Sequence, residues 1–165
     1  MSLEALPGVS PVVREFVSSV RVYMRDYPEL NRLVDGVESS DRQIAWAALD
    51  ALAYFNGTPH FTRLSLEELL LGYNQDNLMR RLTAITLLES IVLLQSRNHV
   101  NYSNGGLNLG SNDGAPFLMQ YIQYLRASTD QLMNRVKISI NIASILGQTG
   151  VHSEYAWVNG YAGGW

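Results

Sequence analysis

Apolar residues recur along this chain at the three- and four-residue steps of amphipathic helices, and polar residues between them mark where each helix starts and stops. Val13, Phe16, Val17, Val20 and Met24 form the first stripe. Ser10 stands ahead of it as an N-cap, with Pro11 at the first helical position, where proline's missing N–H costs nothing. Asp26-Tyr27-Pro28 ends it, because a residue ahead of proline avoids helical geometry. A short piece from Glu29 to Val34 is expected next, closing near Gly36. Ser40 and Gln43 then form a capping box for a helix carrying Ile44, Ala45, Ala48, Leu49, Leu52 and Phe55. Asn56-Gly57-Thr58-Pro59 stops that helix.

Ser65 and Glu68 make a second box, opening a short helix over 66–71 that Gly72 closes. Asp76 is expected to cap a longer helix from Asn77 to about Arg97. Its apolar positions, Leu78, Leu82, Ile85, Leu88, Ile91, Val92 and Leu94, wrap widely around it. A helix of that kind is expected to be buried on most sides, inside a bundle or between subunits. The character then changes to NHVNYSNGGLNLGSNDG. Val100 and Tyr102 alternate with polar residues, as do Leu107 and Leu109, and Asn104-Gly105 lies between the two runs. This predicts a small β-hairpin insertion at about 99–114.

From Ala115 to Leu146 nothing but Pro116, in the first turn, departs from good helix chemistry. Leu118, Ile122, Leu125, Leu132, Val136 and Ile140 keep one face apolar. Roughly 30 residues at ~1.5 Å each make a rod of ~45 Å, longer than the ~30–35 Å across a compact domain of this size. The rod therefore projects or forms the wall of an elongated bundle. Beyond it, GQTGVHSEYAWVNGYAGGW carries Tyr155, Trp157, Tyr161 and Trp165 among small residues. Such aromatics anchor interfaces, and the glycines favour reach over packing. The fold class expected is all-α: an elongated helical bundle over 1–146, with the hairpin insertion, and an extended C-terminal docking arm over 147–165.

Composition narrows the function more than the fold. A net charge of −3 supplies no basic footprint for nucleic acid. Cysteine is absent, which removes disulfides and thiolate chemistry. With 47% apolar and 16% charged residues, some surface is expected to be covered by other subunits. The basic residues are arginine except Lys137, which suits bidentate contacts to carboxylates. MSLEALPG lacks a basic, apolar leader pattern, and LTAITLLESIVLLQ is too short for a membrane span and contains Glu89.

Catalytic patterns are missing. His60, His99 and His152 lie far apart, without the spacing of a metal motif. No nucleophile elbow or phosphate-binding loop occurs. Glu67-Glu68 reads as a capped helix start, and Asp50 and Glu89 as exposed edges or partners of Arg42, Arg80 or Arg81. No catalytic residue, metal or cofactor is assigned, and an enzyme is not expected.

Residues 20–61, VRVYMRDYPELNRLVDGVESSDRQIAWAALDALAYFNGTPHF, resemble the N-terminal helical part of tailed-bacteriophage head–tail connector (adaptor or neck) proteins. The run Arg25 to Asn31, the Ser40-Asp41 helix start and the Asn56-Gly57-Thr58-Pro59 stop carry the resemblance. The hairpin region, the long helix and the arm agree with that family's layout. The resemblance implies a homo-oligomeric ring, usually of twelve copies, beneath the portal protein of a virion assembled in the host cytoplasm. Tyr155, Trp157, Tyr161 and Trp165 would dock on the portal. Tyr102, Leu107 and Leu109 would meet the next neck, tail or nozzle protein, or a lateral neighbour. Genomic DNA would pass through the lumen as a non-specific passenger, and twelve copies at −3 would total about −36, a wall that does not hold it. The alternative is a small helical scaffolding or interaction module that binds a cellular partner through the same aromatic tail.

Overall fold

The computed structural model describes residues 10–30, 36–97, 101–104, 107–110 and 115–148. Its helices are α1 (Pro11–Met24), α2 (Asp41–Gly57), α3 (Asp76–Arg97) and α4 (Ala115–Gln148), and the fold is all-α. Between α3 and α4, strands β1 (Asn101–Asn104) and β2 (Leu107–Gly110) pair antiparallel, with Tyr102 opposite Leu109. A ribbon this short adds no sheet layer to the helical architecture. The expected piece from Glu29 to Val34 lies largely outside the described residues, as does the arm beyond Gln148.

Helix starts follow the local sequence closely. The Ser10 hydroxyl accepts the Val13 N–H at 3.4 Å, ahead of Pro11. At α2 the Ser40 N–H donates to Gln43 Oε1 at 2.7 Å, and the Gln43 N–H donates to Ser40 Oγ at 3.3 Å. Ser40→Ala is expected to lower stability by about 1 kcal/mol. A urea titration would register this as a lower midpoint at unchanged slope.

Ser65 and Glu68 also bond reciprocally, at 2.6 and 3.2 Å, and these bonds hold the Glu68 carboxyl below its ordinary pKa. The turn that follows is wider than the short α-helix expected: Glu68–Gly72 is π-helical, with the Tyr73 N–H reaching back to the Glu68 carbonyl at 3.0 Å. That widening buries Leu69 and Leu70 while Leu71 stays outside. Asp76 also departs from its expected role. It is the first helical residue of α3, and its carboxylate pairs with Arg80 one turn on, at 2.6 Å.

The main core gathers on one end of the molecule. Ala47, Ala48 and Ala51 are buried on α2 and let that helix approach its neighbours closely, while Phe55 fills the space beyond them. Val17 and Val20 of α1, Leu78 and Met79 of α3, and Met133 and Ile140 of α4 complete the same cluster. A second, smaller cluster uses α3 and α4 alone: Ile85, Val92 and Ile122, flanked by half-buried Leu88, Leu118 and Leu125. The C-terminal half of α3 and the N-terminal half of α4 thus form a two-helix stalk.

Within the single chain α3 is buried on most sides over its first half, and the expected alternative, burial between subunits, concerns the second half. Leu93 and Leu94 are 62% and 56% exposed, because no third helix among the described residues covers that part of the stalk. At its other end α4 runs through Gly147 to Gln148, slightly past the Leu146 expected from the sequence. Its 34 residues make a rod of ~50 Å.

Candidate interaction surfaces

Two buried charges fix how the elements meet. Arg21 on α1 reaches Asp26 Oδ2 at 3.1 Å, the Ser39 carbonyl at 2.8 Å and Asp41 Oδ1 at 2.7 Å. The Asp26 carboxylate in turn accepts the Glu38 and Ser39 N–H groups at 2.7 and 2.9 Å. Burial, and then the Asp26 charge, raise the Glu38 carboxyl above its ordinary pKa. Together these bonds staple the end of α1 to the start of α2. Asp26, Ser39 and Asp41 are thus elements of one structural clamp.

Lys137 is the second buried charge, with no exposed surface. Its ammonium donates to the Phe55 carbonyl at 2.5 Å, the Thr58 carbonyl at 2.7 Å and Thr58 Oγ1 at 2.8 Å. Those acceptors lie at the C-terminal end of α2, the negative end of its dipole. The ring of Phe55 lies 5.1 Å from the same nitrogen. Burial pushes the amine below the ordinary lysine pKa. The sequence did carry a signal for this lock: Lys137 falls four residues after Met133 and three before Ile140, on the buried stripe of α4.

A notch of about 190 Å³ lies where α2, α3 and α4 converge. Arg126 pairs with Glu89 at 2.6 Å and lies 5.2 Å from the Tyr54 ring centre, and the Tyr54 hydroxyl donates to Asp130 at 3.1 Å. Glu89 thus takes Arg126 in place of the Arg80 or Arg81 partners considered from the sequence, while Asp50 lines the rim. Desolvation, then the Asp130 charge and hydrogen bond, raise the Tyr54 phenol pKa. A phenol held protonated beside an ion pair ties helices together and offers no activated nucleophile. Among the described residues no group of three or more acidic or histidine side chains is placed to hold a metal ion, and no helix is long and apolar enough to cross a membrane.

Exposed apolar side chains are spread over several elements, Trp46, Phe61 and Leu71 among them, and the stalk carries two such surfaces on α3 and α4. On one side, Val92, Leu93 and Ser96 of α3 face Met119, Ile122 and Gln123 of α4 across a groove of about 440 Å³. On another, Phe117, Tyr121 and Tyr124 stand out from α4, 76%, 52% and 73% exposed. Periodicity alone missed this surface, since it marks apolar positions without saying where covering helices end. Of the residues singled out beforehand, Tyr102 and Leu109 are opposite one another in the ribbon and Leu107 is opposite Asn104. Tyr155, Trp157, Tyr161 and Trp165 lie outside the described residues, as do His99 and His152. His60 is exposed, in the left-handed backbone region at φ 63°. Set against protein-family models, curated proteins and solved structures, the chain matches none.

Proposed function

We propose that this chain is a virion structural protein, a ring adaptor between the portal and the tail of a tailed bacteriophage. In this reading the helical bundle builds the ring wall and the Asn/Gly hairpin insertion meets a lateral or tail-side partner. The aromatic arm docks on the portal, and DNA passes through the lumen. The observation that carries the reading is α4. One uninterrupted helix of 34 residues forms half of the stalk, crosses the bundle core, and leads directly into the aromatic tail. A subunit that must bridge components above and below it needs such a continuous rod, and a ring subunit needs exposed apolar faces for its neighbours. The resemblance over residues 20–61 supplies the biological setting.

Mixing the protein with the cognate portal should yield twelvefold rings in negative stain. A stable monomer that ignores that portal would count decisively against the reading. Deleting Gly150–Trp165 should leave a cooperatively folding protein with portal capture reduced at least tenfold in a pull-down titration. Unchanged capture by the truncated chain would remove the arm from the docking role.

A further inference from the structure

We propose that the stalk packs head-to-tail against the stalk of a second copy of this chain, the aromatic ridge of one α4 seating in the α3–α4 groove of its neighbour. This inference rests on the ring reading and assigns the surface that would join its subunits. The ridge is Phe117, Tyr121 and Tyr124, whose four- and three-residue steps place them on one side of α4. Met119 and Gln123, which line the groove, lie roughly half a helical turn away, on the opposite side of the same helix. Across the groove stands Leu93, 62% exposed, above a floor of Val92 and Ile122.

Chemistry matches on the two sides. Glu89 and Arg126, at the inner end of the groove, pair with each other. Beyond them α3 carries no charge before Arg97, and α4 carries none from Ala115 to Leu125. An incoming copy of the same surface therefore meets no repulsion, and Gln123 and Ser96 offer hydrogen-bond partners to its tyrosine hydroxyls. Fully buried aromatic side chains cover ~150–250 Å² each. At their present exposures the three ridge residues would remove about 400 Å² from water, half of the ~800 Å² that each side of a stable interface buries, before any rim is counted.

Ridge and groove on opposite sides of one stalk have a topological consequence. A copy that receives a ridge still presents its own, so the contact is heterologous and propagates from copy to copy, and the ring reading requires that its rotation closes. A two-fold pairing would instead set groove against groove or ridge against ridge, and leave the other pair in water.

The absence of cysteine makes the test clean. The chain carrying both Leu93→Cys and Tyr124→Cys, oxidised alone at high concentration, should give a ladder of trimers and larger species on a non-reducing gel. Each single variant should remain monomeric. Quantitative dimers from a single variant, or no ladder from the double variant, would overturn the proposal. Met119→Arg, which places a charge in the groove, should abolish concentration-dependent sedimentation of the otherwise native chain while its thermal unfolding stays unchanged; association equal to the native chain's would also overturn it. Portal capture is scored separately. A ladder without capture would reject the portal reading alone, and capture without a ladder would reject this packing alone.

Discussion

Lys137→Met is expected to destabilise the fold by about 2–4 kcal/mol, because methionine fills the space and leaves buried acceptors behind. The Phe55 and Thr58 carbonyls and the Thr58 hydroxyl all face this ammonium. The Phe55 carbonyl is buried, while the Thr58 acceptors are half-buried beside an open groove. Equilibrium urea unfolding should show the loss as a lower midpoint with little change in slope. The alkaline limb adds a second signature. Burial depresses the folded-state pKa of Lys137, so between that value and the ordinary lysine value of 10.5 the unfolded chain holds a proton that the folded chain has released. Stability contributed by this residue therefore rises with pH across that window. Tyr54 slopes the other way, since its raised pKa makes the folded chain keep a proton that the unfolded phenol loses above 10.0. Subtracting the methionine variant's pH profile from that of the native chain isolates the lysine, and a flat difference would show that its charge is not perturbed by the fold.

Asp26→Ala should be the other severe substitution, at about 3–5 kcal/mol, as expected when one member of a buried ion pair is removed. The Asp26 side chain is 7% exposed, and the change strips partners from Arg21 and from the Glu38 and Ser39 N–H groups at once. Asp26→Asn should fall between, because an amide oxygen can still accept from the backbone while its NH₂ group opposes the guanidinium. Thermal unfolding followed by circular dichroism would rank the three proteins. Equal melting temperatures for Asp26→Ala and the native chain would remove the clamp from the account of stability. Asp41 retains its own contact with Arg21 in either variant, so the clamp is weakened at one jaw, not abolished.

What the sequence disclosed divides by distance along the chain. The caps at Ser10, Ser40 and Ser65 involve partners three residues away, so local chemistry was enough to find them. The Arg21–Asp41 contact spans 20 residues and the Lys137–Phe55 contact 82, and no periodicity encodes which distant backbone a charge will meet. The stripe of α4 was legible, with Ile122, Val136 and Ile140 buried as the spacing implied. The extent of cover over α3 was not. Ile85 and Leu94 read alike as apolar helix positions, yet one is 2% exposed and the other 56%, because only tertiary placement sets where the bundle stops and the stalk begins. The candidate surface was legible for the same reason only in part: Met119 and Tyr124 are ordinary helix residues until their lack of cover is known.

The chain's single lysine is also one of its most deeply enclosed side chains. Reagents that acylate side-chain amines therefore have no target on the folded surface. Amine-directed cross-linkers would leave assemblies of this protein unjoined through lysine however closely the subunits pack, and a negative result from them would carry no information about neighbours. The same enclosure makes Lys137 a timer. Acylation at that position, followed by mass spectrometry, would report how often α4 lifts from the end of α2.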